Sequence, residues 1–234
     1  MSVPMAVSQS AVERGRIVYQ SEECKRCHSQ NNRPDTEGAS GRQLAESRDD
    51  HPARTGNRTQ GPDLSDVGDR RSELWLKMHL YNPREVSGSS IMPPYEFLFR
   101  SKKGNNLVAY LANLRNSPNS HRLADQQAWH LSADAVAAAD PAEGQKLYNH
   151  YCATCHNASG RTRLKWQSEF IESPAVLRAG AMQAQPGATD HLAQIIKFGI
   201  PDSDMAGHEN LPDKAIASLA AWLTQKDTQP VCKH

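Results

Sequence analysis

Apolar residues recur along this chain at helical spacing and almost never alternate. Leu107, Tyr110, Leu111 and Leu114 fall on one face of a helix predicted over 105–113. Ile216, Leu219, Ala220 and Leu223 form a second stripe, with Trp222 beside it, on a helix predicted to start at Pro212. The run from Leu74 to Leu80 reads as a third helix, and Ala133 to Ala139 as a short fourth. Asp140 suits an N-cap, Pro141 the first helical turn, and Glu143 a capping box; that helix runs through Gly144 and Tyr148 to residue 152. A matching helix leads through Gly15, a place for close helix crossing, to residue 24. Between the halves, Asn116-Ser117-Pro118-Asn119-Ser120 breaks the pattern. The expectation is an all-α chain of two similar halves: residues 1–120, a linker over 121–138, and residues 139–234.

Each half places the same pentapeptide after its first helix: Cys24-Lys25-Arg26-Cys27-His28 and Cys152-Ala153-Thr154-Cys155-His156. Cys-x-x-Cys-His is the attachment signature of c-type haem. On a helical turn the two thiols lie close enough to bond the two vinyl groups of one porphyrin, and the next residue supplies an imidazole nitrogen to the iron. A single match also fits a zinc half-site or a redox dithiol; two matches, each followed by a plausible second iron ligand, predict two covalently bound haem c groups. The fold expected is therefore two tandem class I cytochrome c domains, each a few helices around one haem.

A low-spin electron carrier needs a sixth ligand, commonly a methionine thioether. In the first half Met92 lies in Ile91-Met92-Pro93-Pro94, just ahead of the last helix, where two prolines hold the segment extended; Met78, inside the Leu74–Leu80 run, reads as core. In the second half Met205 precedes the last helix, with Ala206 where such loops often place proline; Met182 reads as packing or surface, and His208 is a rival ligand. The expected metal ligands are thus His28, Met92, His156 and Met205. A proximal histidine usually donates its other ring nitrogen to a backbone carbonyl. Pro62 and Pro174 are the residues expected to provide it. Arg58 and Arg84 are candidates for the haem propionates, because a guanidinium fork suits a carboxylate. His51 and His79 read as structural.

The order and spacing of several short pieces extend this reading over residues 13–98. They are Gly15-Arg16 with Tyr19, Cys27-His28-Ser29-Gln30, Arg33-Pro34, Asp50-His51-Pro52, Arg58-Thr59, Gly61-Pro62-Asp63-Leu64, Val67-Gly68, Trp75, His79-Leu80, Asn82-Pro83-Arg84, and Met92-Pro93 with Tyr95. With these, the region resembles the mono-haem cytochrome subunit of C-family (cbb-three-type) haem–copper oxidases. Residues 139–225 resemble class I cytochrome c domains in general. The resemblance implies haem c ligated by His28 and Met92 and a role passing electrons to or from a redox partner. That subunit is membrane-anchored and lacks a fused second cytochrome domain, whereas no anchor is read here, so the chain looks like a relative redeployed as a dihaem protein.

Charge narrows the partners. Lys plus Arg number 27 and Asp plus Glu 26 in 234 residues. Residues 1–120 carry 17 basic and 14 acidic side chains. This is no nucleic-acid profile. No segment approaches the roughly 20 apolar residues of a membrane span. Met1–Ser10 lacks the basic start and apolar stretch of a signal peptide. Haem attachment of this kind implies the bacterial periplasm, with the signal expected to have been removed. Of five Cys, four are assigned to thioethers, leaving Cys232 as a free thiol.

The function expected is a single-electron relay between a redox enzyme or quinol-linked donor and a terminal acceptor, free or as a subunit of a membrane oxidase or reductase complex. The alternative is a dihaem enzyme, thiosulfate dehydrogenase-like or peroxidase-like, with one open or unusually ligated haem; a gas sensor is a third reading.

Overall fold

The computed structural model describes residues 10–30, 61–115, 119–182 and 188–225. Its contacts divide the chain into two compact units, Met1–Asn82 with Ile91–Ser117, and Pro83–Ser90 with Pro118–His234. Among the described residues the secondary structure is helical, apart from an isolated antiparallel bridge between Gly199 and Ala206.

The first unit contains α1 (Ala11–Ser21), α2 (Val67–Arg70) and α3 (Glu73–Tyr81); the short α4 (Pro83–Val86) belongs by its contacts to the second unit, and α5 (Lys103–Ala112) returns to the first. Serines start α1 and α3: Ser10 Oγ accepts from Glu13 N at 3.1 Å and Ser72 Oγ from Trp75 N at 3.0 Å, satisfying backbone donors that a helix end leaves open. The core joins Val18 and Tyr19 of α1 to Leu76 and Leu80 of α3 and to Leu107, Val108 and Leu111 of α5. Met78 is 1% exposed, as a core residue of α3 should be.

The second unit runs α6 (Asn119–Ala128), α7 (Ala133–Ala137), α8 (Pro141–Leu147), a π-helical turn over Tyr148–Cys152, α9 (Ala153–His156), α10 (Arg161–Lys165), α11 (Ala188–Phe198) and α12 (Asp213–Thr224). Its core joins Tyr148 to Leu192, Ala193 and Ile196 of α11 and to Ile216, Leu219, Trp222 and Leu223 of α12. The stretch 121–138, read from sequence as a linker, is partly helical, and Trp129 and Leu131 pack against this core. Asp140 caps α8 by accepting from Ala142 N at 2.9 Å. The capping box does not close. Asp140 N donates to Ser218 Oγ at 3.0 Å, and Glu143 instead pairs with Lys146 at 3.1 Å.

One crossing is built twice. A Cβ on Gly15 would stand 2.6 Å from Tyr110 Cβ and closer still to Asn106 O, so α1 meets α5 backbone to backbone. A Cβ on Gly144 would stand 2.9 Å from Trp222 Cβ and closer still to Ser218 O, so α8 meets α12 in the same way. Only glycine permits this approach. Four residues after each glycine stands a tyrosine that packs on the aromatic across the crossing. Tyr19 and Tyr110 have centroids 5.5 Å apart, and Tyr148 and Trp222 have theirs 4.5 Å apart. This crossing is what delivers each Cys-x-x-Cys-His to its unit's core.

Candidate haem-attachment sites

The first motif is a tight turn. Glu23 enters it at φ 56°, and Cys27 N and His28 N both donate to Cys24 O, at 3.1 and 3.0 Å. The second motif is reached through the π-helical turn and finishes as α9. A π turn is wider than an α turn and frequently marks a functional site. Both routes place the histidine directly after a helical turn that carries the two thiols.

His28 Nδ1 donates to Pro62 O at 2.9 Å, across 34 residues of chain. A carbonyl only accepts, so Nδ1 carries the proton and Nε2 keeps the lone pair that an iron ligand requires. The backbone runs alongside to hold this: Gly61 N donates to Cys27 O and Leu64 N to Ser29 O, each at 2.8 Å. A Cβ on Gly61 would stand 2.5 Å from His28 Nδ1 and 2.9 Å from Nε2, so the ring lies flat against a backbone only glycine leaves bare. Asp63, 2% exposed, ties the same two segments together. Its Oδ2 accepts from Ser29 Oγ at 2.6 Å, and its Oδ1 accepts from Ser65 N at 2.8 Å and from Ser65 Oγ.

In the second unit His156 Nδ1 donates to Ala175 O at 2.8 Å, and Leu177 N to His156 O at 2.9 Å. The expectation for Pro174 is corrected here: its carbonyl accepts from Arg163 Nη1 instead. Arg163 also reaches Cys155 O at 3.4 Å and Ser173 Oγ at 3.0 Å. The guanidinium occupies the Pro174 carbonyl, and the next carbonyl along serves the histidine. Tyr148 Oη donates to Leu177 O at 2.8 Å and fixes the far end of this segment. Burial lowers the His156 pKa, which favours the neutral, ligating ring. Burial pushes the thiols of Cys24 and Cys155 up to about 11 and that of Cys152 up to about 12.

Met92 is half-buried, packs on the first core as Cys24 does, and follows a turn closed by Ser90 N donating to Ser87 O at 2.8 Å. Three residues on, Tyr95 N donates to Leu80 O at 2.8 Å and pins the segment to the end of α3. Met205 is half-buried at the close of a turn in which Ile200 N donates to Met205 O at 2.9 Å and Met205 N to Ser203 Oγ at 3.1 Å. The turn needs left-handed backbone at Gly199 (φ 77°) and Asp202 (φ 55°). Of the other candidates, Met182 is 39% exposed, and His208 is tied by its backbone N to Ile196 O at 3.0 Å. His79 stacks on Trp75 with centroids 4.7 Å apart and 12° between planes. Burial above all, with the positive charge of Arg71 adding to it, takes its pKa down to about 3. Arg84 is exposed on α4. Arg58, His51 and Cys232 lie outside the described residues.

Sequence reasoning passed over Ala175, Arg163 and the contact role of Gly61. Any residue offers a carbonyl, so Ala175 carries no signal; the arginine and the glycine gain their roles only once the loops close.

The residues fit a covalently held haem: thiols and imidazole on one turn, the tautomer fixed, and the ring's bed kept clear by glycine. Comparison with known families agrees. The family described as cytochrome c oxidase, mono-heme subunit/FixO matches residues 6–151, and that described as cytochrome c oxidase, cbb3-type, subunit III matches residues 139–223. No curated protein matches the chain. The chain belongs to the FixO mono-heme subunit family of cytochrome c oxidase and is a haem c electron-transfer cytochrome, with residues 139–223 similar to the cbb3-type subunit III.

Proposed function

We propose that this chain is a dihaem electron relay working on the periplasmic face of the membrane, passing single electrons between a quinol-linked or protein donor and an oxidase or reductase. The observation that carries it is the repeated proximal anchor: His28 on Pro62 O and His156 on Ala175 O, each presenting Nε2 from the turn that bears the thiols. Cys24 and Cys27 would hold one haem and Cys152 and Cys155 the other, with Met92 and Met205 as sixth ligands. Bound there, haem c supplies a one-electron iron couple. The chain's own part is to keep both imidazoles neutral and oriented, both thioethers fixed by pinned segments, and water out. Among the described residues no helix is long and apolar enough to cross a membrane, which fits a partner-held or freely docking carrier. Such docking would be transient, over a modest interface with a polar rim.

The test is haem counted per chain by the pyridine haemochrome, with the dithionite-reduced spectrum taken before and after carbon monoxide. Two haems and no spectral shift are expected of a closed relay. A shift amounting to one haem would overturn it in favour of an enzyme or sensor with an open site.

A further inference from the structure

Each proximal loop has a side-chain clamp of its own on the segment next to its histidine, a buried carboxylate in the first unit and a guanidinium in the second. In the first unit the residue after the accepting carbonyl is Asp63, 2% exposed, whose carboxylate binds Ser29, the neighbour of His28, and Ser65. Arg70 meets this loop at the backbone, donating to Asp63 O at 2.8 Å, while also pairing with Asp66 at 3.0 Å. In the second unit the residue after the accepting carbonyl is Val176, 54% exposed, and no carboxylate stands in that place. The clamp there is Arg163, half-buried, on Cys155 O, Pro174 O and Ser173 Oγ. It is the cation among the charges that reach Cys155, the others being Asp204 and Glu85.

A fixed charge beside a haem acts on the iron couple as on any ionisation. A negative charge favours the ferric form and lowers the potential, a positive charge favours the ferrous form and raises it, and burial strengthens both. We propose that Asp63 and Arg163 are positioning residues that also order the two potentials, the first site low and the second high. The single electron of a half-reduced molecule then rests in the second unit. This rests on the two-haem reading above. Because Asp63 is buried and Arg163 half-buried, the larger effect belongs to Asp63.

The experiment is a potentiometric titration of the holoprotein and its variants, after the haem count. Met92→His identifies the first unit's wave, because a second histidine lowers the potential relative to methionine; the lower wave is expected to move. Asp63→Asn should raise that wave alone, by a tenfold or greater change in its one-electron equilibrium constant, about 59 mV. Arg163→Gln should lower the other wave alone, by several-fold, and Arg163→Lys should restore it. Ser29→Ala removes a clamp bond but no charge and should leave both waves in place, which a merely structural role would not. If Asp63→Asn fails to hold haem, the Arg163 pair and Ser29→Ala carry the test. A count of one haem per chain overturns the two-haem reading. Two haems with waves that stay put, move together, or answer to the wrong residue overturn the charge assignment alone.

Discussion

Replacing Gly61 by alanine should loosen the first haem site by pushing on the iron ligand itself. The methyl carbon would arrive 2.5 Å from His28 Nδ1 and 2.9 Å from Nε2, whereas such atoms are at ease at about 3.5–4 Å. The φ of Gly61 lies outside the left-handed region, so the penalty is steric. The ring must retreat by about 1 Å, and the loop cannot yield easily, because Gly61 N is bonded to Cys27 O at 2.8 Å. Overpacking of this kind costs about 1–3 kcal/mol. Stretching the His28–Pro62 bond adds about 0.5–1.5 kcal/mol. A total of about 1.5–4.5 kcal/mol would lower the apparent melting midpoint of a domain this size by roughly 6–35 °C. Calorimetry of the holoprotein should show one transition displaced and the other in place, and the reduced variant should gain a carbon monoxide-sensitive fraction amounting to one haem. Gly15→Ala is the control: it crowds Tyr110 and Asn106, so it should cost stability without opening the iron to carbon monoxide. A Gly61→Ala protein with the wild-type trace and spectrum would refute the claim that the ring is bedded on this glycine.

Further outcomes follow from other contacts. Tyr148→Phe loses the bond to Leu177 O and should destabilise the second unit by about 1 kcal/mol in a denaturant titration. Tyr19→Phe should cost nothing or stabilise, because the buried Tyr19 hydroxyl has no hydrogen-bond partner among the described residues; a loss as large as that of Tyr148→Phe would contradict this. His79 carries a pKa lowered from 6.5 to about 3, so the unfolded chain takes up its proton first as pH falls. Its contribution is therefore complete above about pH 6.5 and is lost on descending toward about pH 3. His79→Phe, which can keep the stack on Trp75, should flatten the acid side of a plot of melting midpoint against pH; an unchanged slope would place the acid sensitivity elsewhere.

The helices were legible because their signals are local. Leu107, Leu111, Ile216 and Leu219 mark their buried faces by spacing alone, and Asp140 and Pro141 announce α8 within two residues. Gly15 was legible too, since a glycine mid-helix at a bundle crossing has few other uses. The motif residues stood out because their chemistry is bound to residue type. What escaped depends on chain distant in sequence. Glu143 had the right spacing for a capping box, but Ser218, brought in by the crossing of α8 and α12, took the Asp140 N–H. Pro174 missed its role by one residue because Arg163 claimed its carbonyl, and neither a carbonyl acceptor nor the arm of an arginine 11 residues away is written in a local pattern.

The proximal anchors span very different lengths of chain, 34 residues in the first unit and 19 in the second, yet end in bonds of 2.9 and 2.8 Å. Counted as free chain, closing the longer arc costs only about 0.5 kcal/mol more than the shorter. The nitrogen offered to iron is thus presented alike by two loops of unequal length, because the bond that orients the ring needs only one backbone carbonyl at the right place. Chain length between the motif and its accepting carbonyl is a quantity that two cytochrome domains can vary independently while the iron ligand stays the same.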